Sequence, residues 1–113
     1  MAKSSKPPAH LRPATQKWWR SVLADFDLEE HHIRILQLAA EAWDQAQGAR
    51  EVLDRDGQTF SDRFGQPKER PEVGIMQNAR IAFARLLREL ALDGVDGLDA
   101  PRSPRTADYG SRR

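Results

Sequence analysis

The pair "HH" at 31–32 is the first place to look for chemistry, because histidine is the commonest metal ligand near neutral pH. Successive positions on a helix point about 100° apart, so the two rings do not converge on one ion. The remaining histidine, His10, sits in a proline-rich segment, and the chain has no cysteine. No third ligand has the spacing of a zinc site, so neither metal nor cofactor is expected. The acid pairs Glu41/Asp44 and Glu51/Asp54 have the residue types of general acid–base catalysis. Their spacing, however, reads as solvated helix faces, with Arg50–Asp54 or Glu51–Arg55 as ordinary surface pairs. No nucleophile elbow, phosphate loop or Ser–His–Asp order is present, so the chain reads as a non-enzyme.

"KWWR" at 17–20 is the strongest nucleic-acid motif. Basic residues flank two indoles that could stack on bases or back a phosphate contact. The competing reading is core packing, since large indoles usually bury in small domains. That reading is favoured for Trp18 and Trp19, and it leaves Lys17 and Arg20 free to touch phosphate. Lys3, Lys6 and Arg12 extend the same basic segment. Charge is segregated along the chain. Residues 1–20 hold five Lys/Arg and no acid, residues 21–99 hold nine against sixteen Asp/Glu, and residues 100–113 hold four against one. Basic ends on an acidic middle suit a polyanionic partner, although plain solubility would give the same pattern.

The elements that position these residues are mostly helical. Residues 1–12, with Pro7 and Pro8, read as a flexible basic arm. A first helix is expected over about 13–25, with Pro13 in its first turn. "DLEE" at 27–30 is a plausible capping box, with Asp27 and Glu30 as its partners. A second helix follows from about Leu28 to Asp56, ended by Gly57 in a left-handed conformation. Its apolar residues form two rows, one through Ile33, Leu36, Ala40 and Trp43. The other runs through Ile35, Leu38, Ala42, Ala49 and Val52. A third helix is expected from Pro71–Glu72 to about Leu92, stopped by Asp93–Gly94. Its seam is Met76, Ala79, Phe83, Leu86 and Leu90.

Between the long helices, "DGQTFSDRFGQPKERPEV" at 56–73 suggests a small hairpin. Gln58–Ser61 would pair with Gln66–Glu69 across a turn at Asp62–Gly65. A lone two-stranded hairpin needs support, so Phe60 and Phe64 must be covered by the helices or by another subunit. Ile81 lies among Arg80, Arg85 and Arg88, an apolar residue on a basic face and a candidate second contact. Residues 94–113 read as a flexible tail. The domain organisation is therefore a basic arm over 1–12, a helical domain over 13–93, and a tail over 94–113. No apolar run approaches the roughly 20 residues of a membrane span, and the N-terminus lacks the apolar core of a signal peptide. The chain reads as soluble and intracellular.

Three blocks occur in order: "LRPATQKWW", then "DLEEHHIRILQLAAEAWDQAQGAREVLDRDGQTFSDRFGQPKERPEV", then "NARIAFARLLRELAL". Together, over about residues 8–93, they resemble the small terminase subunits of tailed bacteriophages. More narrowly, the chain is similar to those built on a long helical hairpin without a separate helix-turn-helix domain. The resemblance implies a homo-oligomeric ring of roughly eight to twelve subunits with closed symmetry. It also implies recognition of double-stranded viral DNA at the start of genome packaging. The ring would present that DNA to the large terminase subunit, which carries the ATPase and nuclease, and would regulate it. Such a protein acts in the host cytoplasm during phage assembly and is not part of the mature virion. On this reading Lys3, Lys6, Arg12, Lys17 and Arg20 contact DNA, with Arg80, Arg85 and Arg88 as a rival basic surface that would line a channel or a subunit contact, while Phe60, Phe64 and Ile81 meet neighbouring subunits. A small helical DNA-binding regulator is the alternative, although the second helix is long and acidic for groove docking.

Overall fold

The computed structural model describes residues 6–90. Three helices, α1 (Pro13–Asp25), α2 (Glu30–Asp56) and α3 (Pro71–Glu89), are joined by a short connection and a small hairpin. The hairpin consists of β1 (Thr59–Ser61) and β2 (Pro67–Glu69). The expected mostly helical class, with two long antiparallel helices and a hairpin-like connection, is the observed one. Lys3, the expected end of α3 near Leu92, its stop at Asp93–Gly94 and the tail over 94–113 lie outside the described residues.

Proline opens both α1 and α3, where a missing N–H costs nothing. The start of α2 differs from the expected Asp27–Glu30 box. Its N-cap is Glu29, and His32 Nδ1 accepts the Glu29 backbone N–H at 3.2 Å. The reason lies one residue earlier. Leu28 is only 2% exposed and shares the core with Ile33, so an apolar pair brackets the cap and fixes how the chain enters the helix. His32 is thus a buried capping residue. Replacing His32 with alanine is expected to lower stability by about 1 kcal/mol, whereas glutamine, which also serves at this cap position, should recover part of it. Thermal denaturation of the two variants tests this.

α2 spans about 40 Å at 1.5 Å per residue. Its buried face runs through Leu36, Ala39, Ala42, Ala46, Ala49 and Leu53, and the alanines let α3 pack closely. Trp43 and Leu38, expected in the apolar rows, stay 43% and 54% exposed. At the far end Gly57 has φ 87° and ψ 170°. This is not the expected left-handed helical cap but an extended conformation open essentially to glycine alone, and it sends the chain straight into β1.

The hairpin register pairs Thr59 with Glu69, Phe60 with Lys68 and Ser61 with Pro67. Asp62 builds the turn. Its Oδ1 accepts the backbone N–H groups of Phe64 and Gln66, and its carbonyl accepts that of Gly65. Gly65 has a positive φ of 79°. The main core lies at the other end, where α1, the first half of α2 and the end of α3 meet. Leu11, Trp19, Val22, Leu28, Leu36, Ala40 and Leu90 form it. The expected α3 seam is present but thinly covered, since Ala79 is the single fully buried residue of that helix.

Candidate nucleic-acid interface

The basic residues at the start of the chain divide into two groups. Arg12 is committed internally. Its guanidinium grips Glu51 through two hydrogen bonds of 2.6 and 3.1 Å, and its backbone N–H donates to Asp44 Oδ2 at 2.8 Å. The Thr15 hydroxyl donates to the other oxygen of Asp44. His10 Nε2 lies 2.9 Å from Glu41. Glu41, Asp44, Gly48 and Glu51 follow one another at helical spacing, forming a stripe of carboxylates interrupted by one glycine. A Cβ on Gly48 would stand 3.3 Å from the Arg12 guanidinium, so the glycine lets that side chain lie along the helix.

Segment 8–12, expected as a free arm, is therefore tied down over this length. Leu11 is 3% exposed, its N–H donates to the Pro8 carbonyl, and its own carbonyl accepts from Gln16. The acids expected as solvated faces form the receptor. Glu51 meets Arg12 rather than Arg55, which turns to Asp56, while Arg50–Asp54 forms as expected. One sequence signal was available for this. α1 begins at Arg12–Pro13, and arginine is a poor N-cap, so an acid from elsewhere suits the positive end of that helix.

The hydrogen bonds from Arg12, and then its charge, hold the Glu51 carboxyl below its ordinary range. A depressed folded-state pKa means the contact helps dock residues 8–12 above the ordinary carboxylate range. That help is lost as pH falls through the folded value. The protection factor of the Leu11 amide, its exchange rate taken relative to an unstructured peptide at the same pH, should fall on acidification, and Glu51→Gln should flatten that dependence. An unchanged pH profile in the variant would remove Glu51 from this role.

Lys17 and Arg20 are different. Both are exposed, lie three residues apart on one face of α1, and have no ion-pair partner among the described residues. Lys6 and Arg20 border one open groove with Gln16 and Leu23. Lys6, Lys17 and Arg20 thus form a basic surface beside an acidic body. Trp19 is buried at 1% exposure, so the core-packing reading holds for it. Trp18 is half-buried and meets Phe83, with ring centroids 5.9 Å apart. Trp43 packs on the same Phe83 at 5.1 Å. With Ala14 and Thr15 these rings line a cleft of about 260 Å³.

Of the expected subunit contacts, Phe64 is 76% exposed, Ile81 52% and Phe60 39%. Their coverage is not supplied by the chain's own helices. Arg63 and Arg70 lie over the Phe64 and Phe60 rings, at 5.4 and 5.7 Å from the centroids. Arg80, Arg85 and Arg88 are exposed around Ile81, again without ion pairs among the described residues. No group of three His, Cys, Asp or Glu side chains among these residues could hold a metal. No described helix is long and apolar enough to cross a membrane.

One comparison with known proteins bears on this helical hairpin. The family model of the phage terminase small subunit matches residues 15–97. The chain belongs to the phage terminase small-subunit family. Its general role is accordingly phage DNA packaging, in partnership with DNA and the large terminase subunit, and the small subunit is generally the non-catalytic, regulatory member. The match runs from Thr15, in the first turn of α1, through α2, the hairpin and α3. No curated protein and no solved structure gives a significant match.

Proposed function

We propose that this family member assembles as a homo-oligomeric ring that binds double-stranded viral DNA, initiates packaging and regulates the large subunit's ATPase and nuclease. It would act in the host cytoplasm and stay out of the mature virion. The DNA-binding part of this reading is carried by the unpaired basic face of Lys6, Lys17 and Arg20. Arg12, the fourth described residue of the expected set, is engaged by Glu51 and contributes by docking its segment. Lys3, the fifth, lies outside the described residues.

Each subunit supplies only a few phosphate contacts, and repetition around a ring converts them into useful affinity. Binding should therefore fall steeply with salt. A Lys17→Ala/Arg20→Ala variant is expected to weaken binding to all duplex sequences alike and to flatten the salt slope. An Arg80→Ala/Arg85→Ala variant should leave both nearly unchanged. Fluorescence anisotropy of labelled duplexes across a salt series measures this. The opposite ranking of the two variants would move the interface to α3.

The ring is supported by surface left uncovered in one chain. α3 has a thinly covered seam, and Phe60, Phe64 and Ile81 are exposed. A domain with so small a core gains much from a partner chain. Residues 13–93 would then form the oligomerisation and packaging unit. Native mass spectrometry should give one species of roughly eight to twelve subunits, as closed cyclic symmetry requires a single size.

A further inference from the structure

We propose that the hairpin tip of one subunit docks in the aromatic cleft of its neighbour, with Phe64 as the inserted side chain. This rests on the oligomeric reading above and names the two surfaces that would meet. The donor is Phe64, 76% exposed on a turn already fixed by the Asp62 carboxylate, so little conformational freedom is lost on docking. The acceptor is the cleft between Trp18, Trp43 and Phe83. Its volume of about 260 Å³ falls below the roughly 300–1,000 Å³ of small-molecule pockets and suits one inserted side chain. Three aromatic walls favour another ring, through edge-to-face or offset contacts.

Charge points the same way. Asp62 is turned inward on its own backbone, so the charge presented beside Phe64 is that of Arg63, which has no carboxylate partner among the described residues. Glu51, Asp54 and Asp56 are each offset by an arginine, but Asp44, beside the cleft residue Thr15, accepts from neutral groups only, the Thr15 hydroxyl and the Arg12 backbone N–H, and keeps its charge. A second copy thus offers Phe64 an apolar slot and Arg63 a carboxylate beside it. Self-insertion is disfavoured by placement. Trp43 lies about 21 Å along α2 from Gly57, at 1.5 Å per residue, and Phe64 stands in solvent on its own chain. Donor and acceptor are different surfaces, so the contact is head-to-tail and propagates from subunit to subunit until the rotation closes.

The absence of cysteine makes a direct test simple. Gln66→Cys beside the tip and Ala14→Cys at the cleft, placed in one chain and treated with a short bis-maleimide, should give a ladder of covalent multimers. Each single-cysteine variant should remain uncross-linked. Adding Phe64→Ser should abolish the ladder. A ladder that survives Phe64→Ser, a dimer from Gln66→Cys alone, or a cross-link confined to the monomer would each overturn the docking. So would a missing ladder, and the mass of the untreated wild-type protein then shows which idea failed. An intact multimer without a ladder removes only this contact, whereas a monomer removes the ring as well.

Discussion

A Phe60→Ser/Phe64→Ser variant is expected to lose its assembly while keeping its helices. The two rings belong to no buried cluster of the chain, and the turn between them is held by Asp62 and backbone groups. Serine therefore leaves the hairpin's internal hydrogen bonds in place. What it removes is apolar area available to a neighbour. A fully buried phenylalanine contributes about 1.5–3 kcal/mol, and each 1.4 kcal/mol is tenfold in affinity. Even with Phe60 already part-covered, the pair should weaken each subunit contact by roughly 100-fold or more on those figures. Sedimentation velocity should show small species at concentrations where the parent is fully assembled, with little change in helical circular dichroism. An intact multimer in this variant would end the assignment of the hairpin to the subunit contact.

Trp19→Ala is expected to unfold the region where α1 meets the other helices. Trp19 is 1% exposed and sits in the core with Val22, Leu36 and Leu90. Truncating a buried tryptophan typically costs about 3–5 kcal/mol, a large share of the stability of a small domain. Trp19→Phe separates packing from hydrogen bonding. The indole Nε1 is buried without a partner among the described residues, an arrangement that itself costs stability. Phenylalanine keeps most of the apolar volume and sheds that unpaired N–H, so it should retain most of the stability. Chemical denaturation of both variants provides the check. Equal losses from phenylalanine and alanine would mean that Nε1 is satisfied and matters.

The two variants act on different levels of the molecule. Trp19 belongs to the fold of one chain, and Phe60 and Phe64 to what that chain offers to another. A core of a few large side chains at one end of the helical pair leaves the other end held by a thinner layer of buried α2 residues, Ala46, Ala49 and Leu53, and by the hairpin's own hydrogen bonds. Oligomerisation through the hairpin would support the thinly packed end, which links the proposed assembly to stability as well as to DNA binding.

Local chemistry was legible in the sequence wherever one short segment decides its own conformation. Pro13 and Pro71 start helices because proline fits a first turn. The helical spacing from Met76 to Leu90 makes the α3 seam, and Asp62 with Gly65 makes the hairpin turn. The family resemblance over "WW", "LEEHH" and the hairpin block was legible for a different reason, namely the order of several motifs together. Only the tertiary structure decided which polar residues meet. Asp44 and Glu51 read as solvated because their partners, Thr15 and Arg12, lie 29 and 39 residues away. No helical period carries that information. The sequence shows that His31 and His32 do not converge on one ion, but the cap that His32 makes at Glu29 follows from how buried Leu28 sets the entry to α2. Trp43 had the spacing of a core residue, yet α1 and α3 cover it only in part. Periodicity says which side of a helix is apolar, but how much of that side is covered depends on the shapes of all the elements packed against it.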